Sequence, residues 1–99
     1  MEDKISVVII EPGKDPRHDH IENTLESLQK TVGGYIETVT LASDLVIICD
    51  EEGRIKNKPY CCTICGVPLV GTVVICGVKG DEFADIPIKY ERLKEILCQ

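Results

Sequence analysis

Two hydrophobic periodicities divide this chain. In Ile5-Ser6-Val7-Val8-Ile9-Ile10 the apolar residues are mostly β-branched and stop at Glu11-Pro12-Gly13, which predicts a strand closed by a turn. Lys14 to Asp19 is polar, and a short second strand around His18 to Ile21 can pair back on the first as a hairpin. Tyr35 to Leu41 and Asp44 to Cys49 read as two more strands, and the glycine-bounded run Gly71-Thr72-Val73-Val74-Ile75-Cys76-Gly77 as another. Between them, Asp50-Glu51-Glu52-Gly53 is a turn leading into Arg54-Ile55, and Lys56-Asn57-Lys58-Pro59 is a polar loop.

Helical spacing occurs twice. Ile21, Leu25, Leu28 and Val32 recur at intervals of four, three and four, which lays one stripe along a helix. Asn23 or Thr24 can cap it, Glu26 sits where a capping-box acid would reach back, and Gly33-Gly34 supplies the stop. A second helix is predicted from near Pro87 to about Cys98, with Ile86, Tyr90, Leu93 and Leu97 on its buried face. Lys89, Glu91, Arg92, Lys94 and Glu95 occupy the opposite side. The resulting order, β-β-α-β-β-β-α with short connections, predicts a single small α+β domain over residues 1–99, its sheet mainly antiparallel.

Composition narrows the picture. At 99 residues and 43% apolar the chain can bury one modest core, and with three Tyr, one Phe and no Trp that core is aliphatic. A net charge of −6 argues against direct nucleic-acid binding and suits either a solvated monomer or a protein partner with a basic surface. The first apolar run is too short for a signal-peptide core or a membrane span, and Met1-Glu2-Asp3-Lys4 ahead of it is acidic, so a cytoplasmic location with reduced cysteines is expected.

Candidate chemistry centres on Cys61-Cys62-Thr63-Ile64-Cys65-Gly66. Cys62 and Cys65 form half of a zinc knuckle. The other half would come from Cys49, Cys76, Cys98 or the pair His18 and His20, which share one face of a strand. Cys49 and Cys76, however, lie in apolar runs where a thiol behaves as a small hydrophobe. A redox pair would need its first cysteine at a helix N-terminus, and the flanking Pro59, Gly66 and Pro68 signal no helix. A nucleophilic pair of His18 or His20 with Cys61 or Cys62 has no spacing to support it. The glycines lack the Lys-Ser/Thr of a phosphate loop. No cofactor and no enzymatic activity are expected.

Two acidic clusters remain, Asp50-Glu51-Glu52 and Asp81, Glu82 and Asp85, each at a predicted loop position. They are the candidate partner-binding residues if they lie together on one negative face. Gly33, Gly34 and Tyr35 are the alternative, as the lining of a small-molecule (nucleotide) pocket in which a backbone without Cβ approaches the ligand.

Several longer stretches carry a family resemblance. They are Ile9-Ile10-Glu11-Pro12-Gly13-Lys14, Ile21 to Gln29 leading into Val32-Gly33-Gly34-Tyr35-Ile36-Glu37, Val46 to Gly53, Gly71 to Gly77 and Gly80-Asp81-Glu82-Phe83. Their succession resembles the domain of unknown function 3846 family, small proteins of phages, mobile elements and their bacterial hosts, over nearly the whole chain. Where such proteins usually carry an LP-x-NR type segment, this chain has Asn57-Lys58-Pro59-Tyr60-Cys61-Cys62, so the cysteines do not resemble a shared metal site. Some anti-CRISPR proteins look like members. The resemblance therefore implies an inhibitor of a host defence enzyme, a CRISPR nuclease or restriction enzyme, whose basic cleft the acids would occupy. A cysteine-ligated zinc protein is the remaining alternative.

Overall fold

The computed structural model describes residues 4–97. Eight strands and two helices follow the order β1 Lys4–Ile10, β2 Arg17–Glu22, α1 Leu25–Val32, β3 Ile36–Ala42, β4 Leu45–Asp50, β5 Tyr60–Ile64, β6 Val67–Val70, β7 Val73–Lys79, β8 Glu82–Ala84 and α2 Tyr90–Leu97. The expected α+β class with a largely antiparallel sheet and two helices is present. The expected order is short by three strands: β5 and β6, which form a hairpin of their own, and β8. The cysteine segment is thus a strand and its turn. In that turn Cys65 (φ 51°) and Gly66 (φ 81°) both take the left-handed conformation that a two-residue hairpin loop requires.

The main sheet has the order β2-β1-β7-β4-β3, and β7 also pairs with β8. Every ladder is antiparallel, and β1–β2, β3–β4 and β7–β8 are consecutive strands joined by short connections. β7 is central. It pairs with β1 through Val73–Ile75 on one side and with β4 through Val74–Gly77 on the other.

Strand alternation divides the core in two. Ile5, Val7 and Ile9 of β1 pack on one face with Leu28 and Val32 of α1, Ile48 of β4 and Val74 of β7. Val8 and Ile10 point to the other face, where Ile64 and Leu69 of the β5–β6 hairpin and Leu93 of α2 cover Ile47, Cys49 and Ile75. Both faces of the central strands are buried, which is why their sequences are continuously apolar.

Thr24 caps α1, its Oγ1 accepting from Ser27 N at 3.1 Å, and Gly33 ends the helix in the left-handed region. With Thr24 as cap, Glu26 falls one position short of the capping-box site. Asn23 instead donates from Nδ2 to Phe83 O at 3.0 Å, tying the helix start to β8. Leu28 and Val32 are buried as the stripe predicts, but Ile21 lies in β2 and Leu25, the first helical residue, is exposed. In α2 Leu93 is buried and Tyr90 half-buried, its hydroxyl donating to Pro16 O at 2.6 Å. The Leu97 side chain and Cys98 lie outside the described residues. Among the described residues no helix is long and apolar enough to cross a membrane.

Candidate functional site

A carboxylate buried at a strand end organises one pole of the molecule. Asp50 closes β4 with its side chain only 1% exposed, and two lysines from the loop that follows reach back to it. Lys58 Nζ lies 2.7 Å and Lys56 Nζ 3.0 Å from Asp50 Oδ2, and Oδ1 accepts from Glu52 N at 2.9 Å. The same ammonium groups donate to the free carbonyls at the end of α1, Lys58 to Val32 O at 2.8 Å and both to Gly33 O at 3.3 Å. Cations at that end also complement the helix dipole. Burial alone would raise the Asp50 carboxyl. The hydrogen bonds from Lys58, Glu52 N and Lys56, with the Lys58 charge, outweigh it and hold the group at about 2.

This clamp joins α1, β3, β4 and the loop to β5, since Glu51 N also donates to Tyr35 O at 2.8 Å. It occupies the space beside Gly33 and Gly34. A Cβ built on Gly34 would lie 2.5 Å from Asp50 Oδ1 and 2.6 Å from Lys56 Nζ. The glycine is required for the close approach of the protein's own ion pair. Gly34→Ala should therefore lower the melting temperature by roughly 6–8 °C, from a loss of about 1–1.5 kcal/mol, measured by thermal unfolding.

Beside the clamp, between β3–β4 and the β5–β6 hairpin, lies a groove of about 200 Å³. Val39, Cys49, Ile55 and Leu69 supply apolar walls, and Glu37, Asp50, Glu51 and Arg54 supply its charged groups. Arg54 is anchored by a 3.0 Å bond from Nη2 to Pro68 O. Burial pushes the Cys49 thiol up, and the charges of Glu37 and Asp50 add to the shift. Around this pole three large apolar side chains stay in water: Tyr35, Ile55 and Tyr60, at 66, 82 and 60% exposure.

The two acidic clusters do not share a face. β4 and β7 run antiparallel with Leu45 opposite Gly77 and Ile48 opposite Val74, so the residues after β4 and the turn after β7 project from opposite ends of the sheet. At about 3.3 Å per residue they are roughly 25 Å apart. Glu51 and Glu52 are exposed beside the groove, and Asp50 is buried and neutralised by its lysines. Asp81, Glu82 and Asp85 are exposed at the far end, where Asp85 Oδ1 accepts from Ser6 N at 2.7 Å. The sequence left open whether the six residues share one face, and the strand register sets the two clusters at separate ends of the sheet.

His18 and His20 lie next to each other on β2, ring centroids 5.2 Å apart, far from any cysteine pair in the sequence and on an edge strand of the sheet. His18 shares a 2.5 Å hydrogen bond from Nε2 with Ser6 Oγ and stacks on Tyr90 at 5.5 Å. Cys62 pairs with Leu69 inside the hairpin, and Cys65 is exposed at its turn. Among the described residues no three His, Cys, Asp or Glu side chains converge as metal ligands would. Glu37, Val39, Arg54 and Leu69 carried no signal in the sequence. The one available hint was Ile64-Cys65-Gly66-Val67, a glycine-bearing dipeptide between β-branched residues, which is a hairpin pattern.

The model of the family described as Domain of unknown function (DUF3846) matches residues 5–96. No curated protein and no solved structure matches the chain.

Proposed function

The chain belongs to the DUF3846 family, and from that premise we propose that it is a non-catalytic binding protein whose clamped pole docks on a basic protein surface. The observation that carries this reading is the groove beside Asp50. A narrow slot with apolar walls and carboxylates is complementary to a lysine or arginine side chain, whose aliphatic stem is apolar and whose head is cationic. Tyr35, Ile55 and Tyr60 around it are the side-chain types and exposures that serve as interface anchors. The two-lysine clamp holds the segments bearing them in place before binding, which lowers the ordering cost of association.

Only one acidic cluster takes part, Glu51 and Glu52 with Glu37 of the groove. The charges of Asp81, Glu82 and Asp85 act at long range, on the rate of encounter rather than the contact. Among basic surfaces, the nucleic-acid cleft of a defence nuclease or restriction enzyme is the partner class this reading favours, with occupancy of that cleft as the means of inhibition.

The test compares partner capture from a bacterial lysate by the parent chain, by Glu37→Gln/Glu51→Gln, by Tyr35→Ala/Tyr60→Ala, and by Asp81→Asn/Glu82→Gln/Asp85→Asn. Captured proteins are then purified and titrated. The groove and tyrosine variants should each weaken binding at least tenfold, or about 1.4 kcal/mol, while the far-end variant associates more slowly with a flatter salt dependence and keeps the parent dissociation rate. Equal binding by the groove variants, or a partner surface that is acidic, overturns the reading. If the partner is a nuclease, the parent chain should block its turnover at stoichiometric concentration.

A further inference from the structure

The β5–β6 hairpin contains a feature that the docking surface does not use. Its register advances from Tyr60 opposite Val70 to Cys62 opposite Leu69, so two residues of β5 are passed for one of β6 and Cys61 is the extra residue of a bulge. In a regular strand Cys61 and Cys62 would face opposite ways. Here both pack against the same core cluster and both are half-buried. Cys61 Sγ donates to Ile10 O at 3.5 Å, under the hairpin. Two adjacent sulfurs are thereby turned to one side with some access to solvent, while Cys65 stays out on the turn.

We propose that Cys61 and Cys62 form a two-sulfur site for trivalent arsenic in the form of an arsenous or organoarsenous species. The chemistry of the pair selects this class over zinc. Burial, then the neighbouring Cys62, pushes the Cys61 thiol up to about 12, and burial also raises Cys62, so both groups are neutral thiols at physiological pH. Zinc requires thiolates and two further ligands that do not converge here. Trivalent arsenic condenses with neutral thiols. With phenylarsine oxide as probe, two As–S bonds form, the arsenic–oxygen bonds break, and both thiol protons leave with that oxygen as water. Arsenic remains trivalent and no oxidant is needed. The phenyl group completes the three-coordinate shell, so no third protein ligand is called for.

The experiment is native mass spectrometry of the folded, reduced protein with phenylarsine oxide, followed by proteolytic mapping of the bridge. The expected result is one phenylarsenic group per chain, mapped to the peptide containing Cys61 and Cys62 and unaffected by Cys65→Ser or Cys98→Ser. Cys61→Ser and Cys62→Ser should each weaken retention at least tenfold in competition with a small dithiol. Urea unfolding of both variants shows that they remain folded, and the mapping on the parent protein is independent of them. A bridge mapped to Cys62 and Cys65, or undiminished retention by Cys61→Ser, overturns the proposal.

Discussion

Asp50→Asn should lower the urea midpoint by about 2 M, from a loss of about 2–3 kcal/mol. The carboxylate is the common acceptor for two ammonium groups and a backbone N–H, and its side chain is almost wholly out of water. Asparagine keeps one acceptor and removes the charge, leaving Lys56 and Lys58 held only by the carbonyls of Val32 and Gly33. The lysine side chains are 39 and 21% exposed and can partly rehydrate, which keeps the loss below that of a fully buried broken pair.

The same group sets an acid limb of stability. Folding lowers the Asp50 carboxyl from its ordinary 3.8 to about 2, so its contribution is complete above about pH 4 and disappears as pH falls through about 2. The shift corresponds to about 2 kcal/mol. Parent protein should therefore lose about that much stability between pH 4 and pH 2 through this residue, and Asp50→Asn should show a correspondingly flatter profile. Denaturant titrations of both proteins at three acid pH values would check it. Parallel profiles would mean that the clamp does not carry the acid sensitivity.

Gly77→Ala should cost about 3 kcal/mol and depress the melting temperature by roughly 15 °C. Gly77 lies in β7, between Leu45 of β4 and Ala84 of β8. A Cβ placed there would lie 2.1 Å from Asp85 O and 3.1 Å from Asp85 C, both main-chain atoms that no rotamer change can move. The chain leaving β8 is held at this point by Ile86 N donating to Ser6 O at 2.9 Å and by Asp85 Oδ1 accepting from Ser6 N. Relief of the clash must therefore pull that segment off β1 and loosen α2, which follows it. Amide exchange should show lost protection at Ser6 and Ile86 in the variant. Unchanged protection with an unchanged melting temperature would contradict the close approach.

The groove was hard to read from sequence because its parts are far apart in the chain. Glu37 belongs to an edge strand, Arg54 to a loop and Leu69 to a strand whose neighbour Pro68 masks the pattern. Pro68 is exposed on the outer side of the two-stranded hairpin, where its missing N–H costs nothing to the main sheet. Asp50 illustrates the opposite error. Beside Glu51 and Glu52 it has the look of one more turn acid, and nothing local distinguishes a carboxylate that two lysines will enclose from one left in water.

The apolar pattern of the chain was enough to determine the class of fold. Runs such as Ile5–Ile10 and Val73–Cys76 bury both faces, so their hydrophobicity is continuous and visible, and a helix with Leu28 and Val32 on one side must lie against them. The cap at Thr24 and the stop at Gly33 are local hydrogen-bonding matters and are equally visible. Tertiary structure alone decided which charges meet. Antiparallel pairing of β4 with β7 separates the two acidic clusters, and the return of the loop after β4 neutralises Asp50. Coulomb energy depends on distance and dielectric, and neither is a property of sequence order.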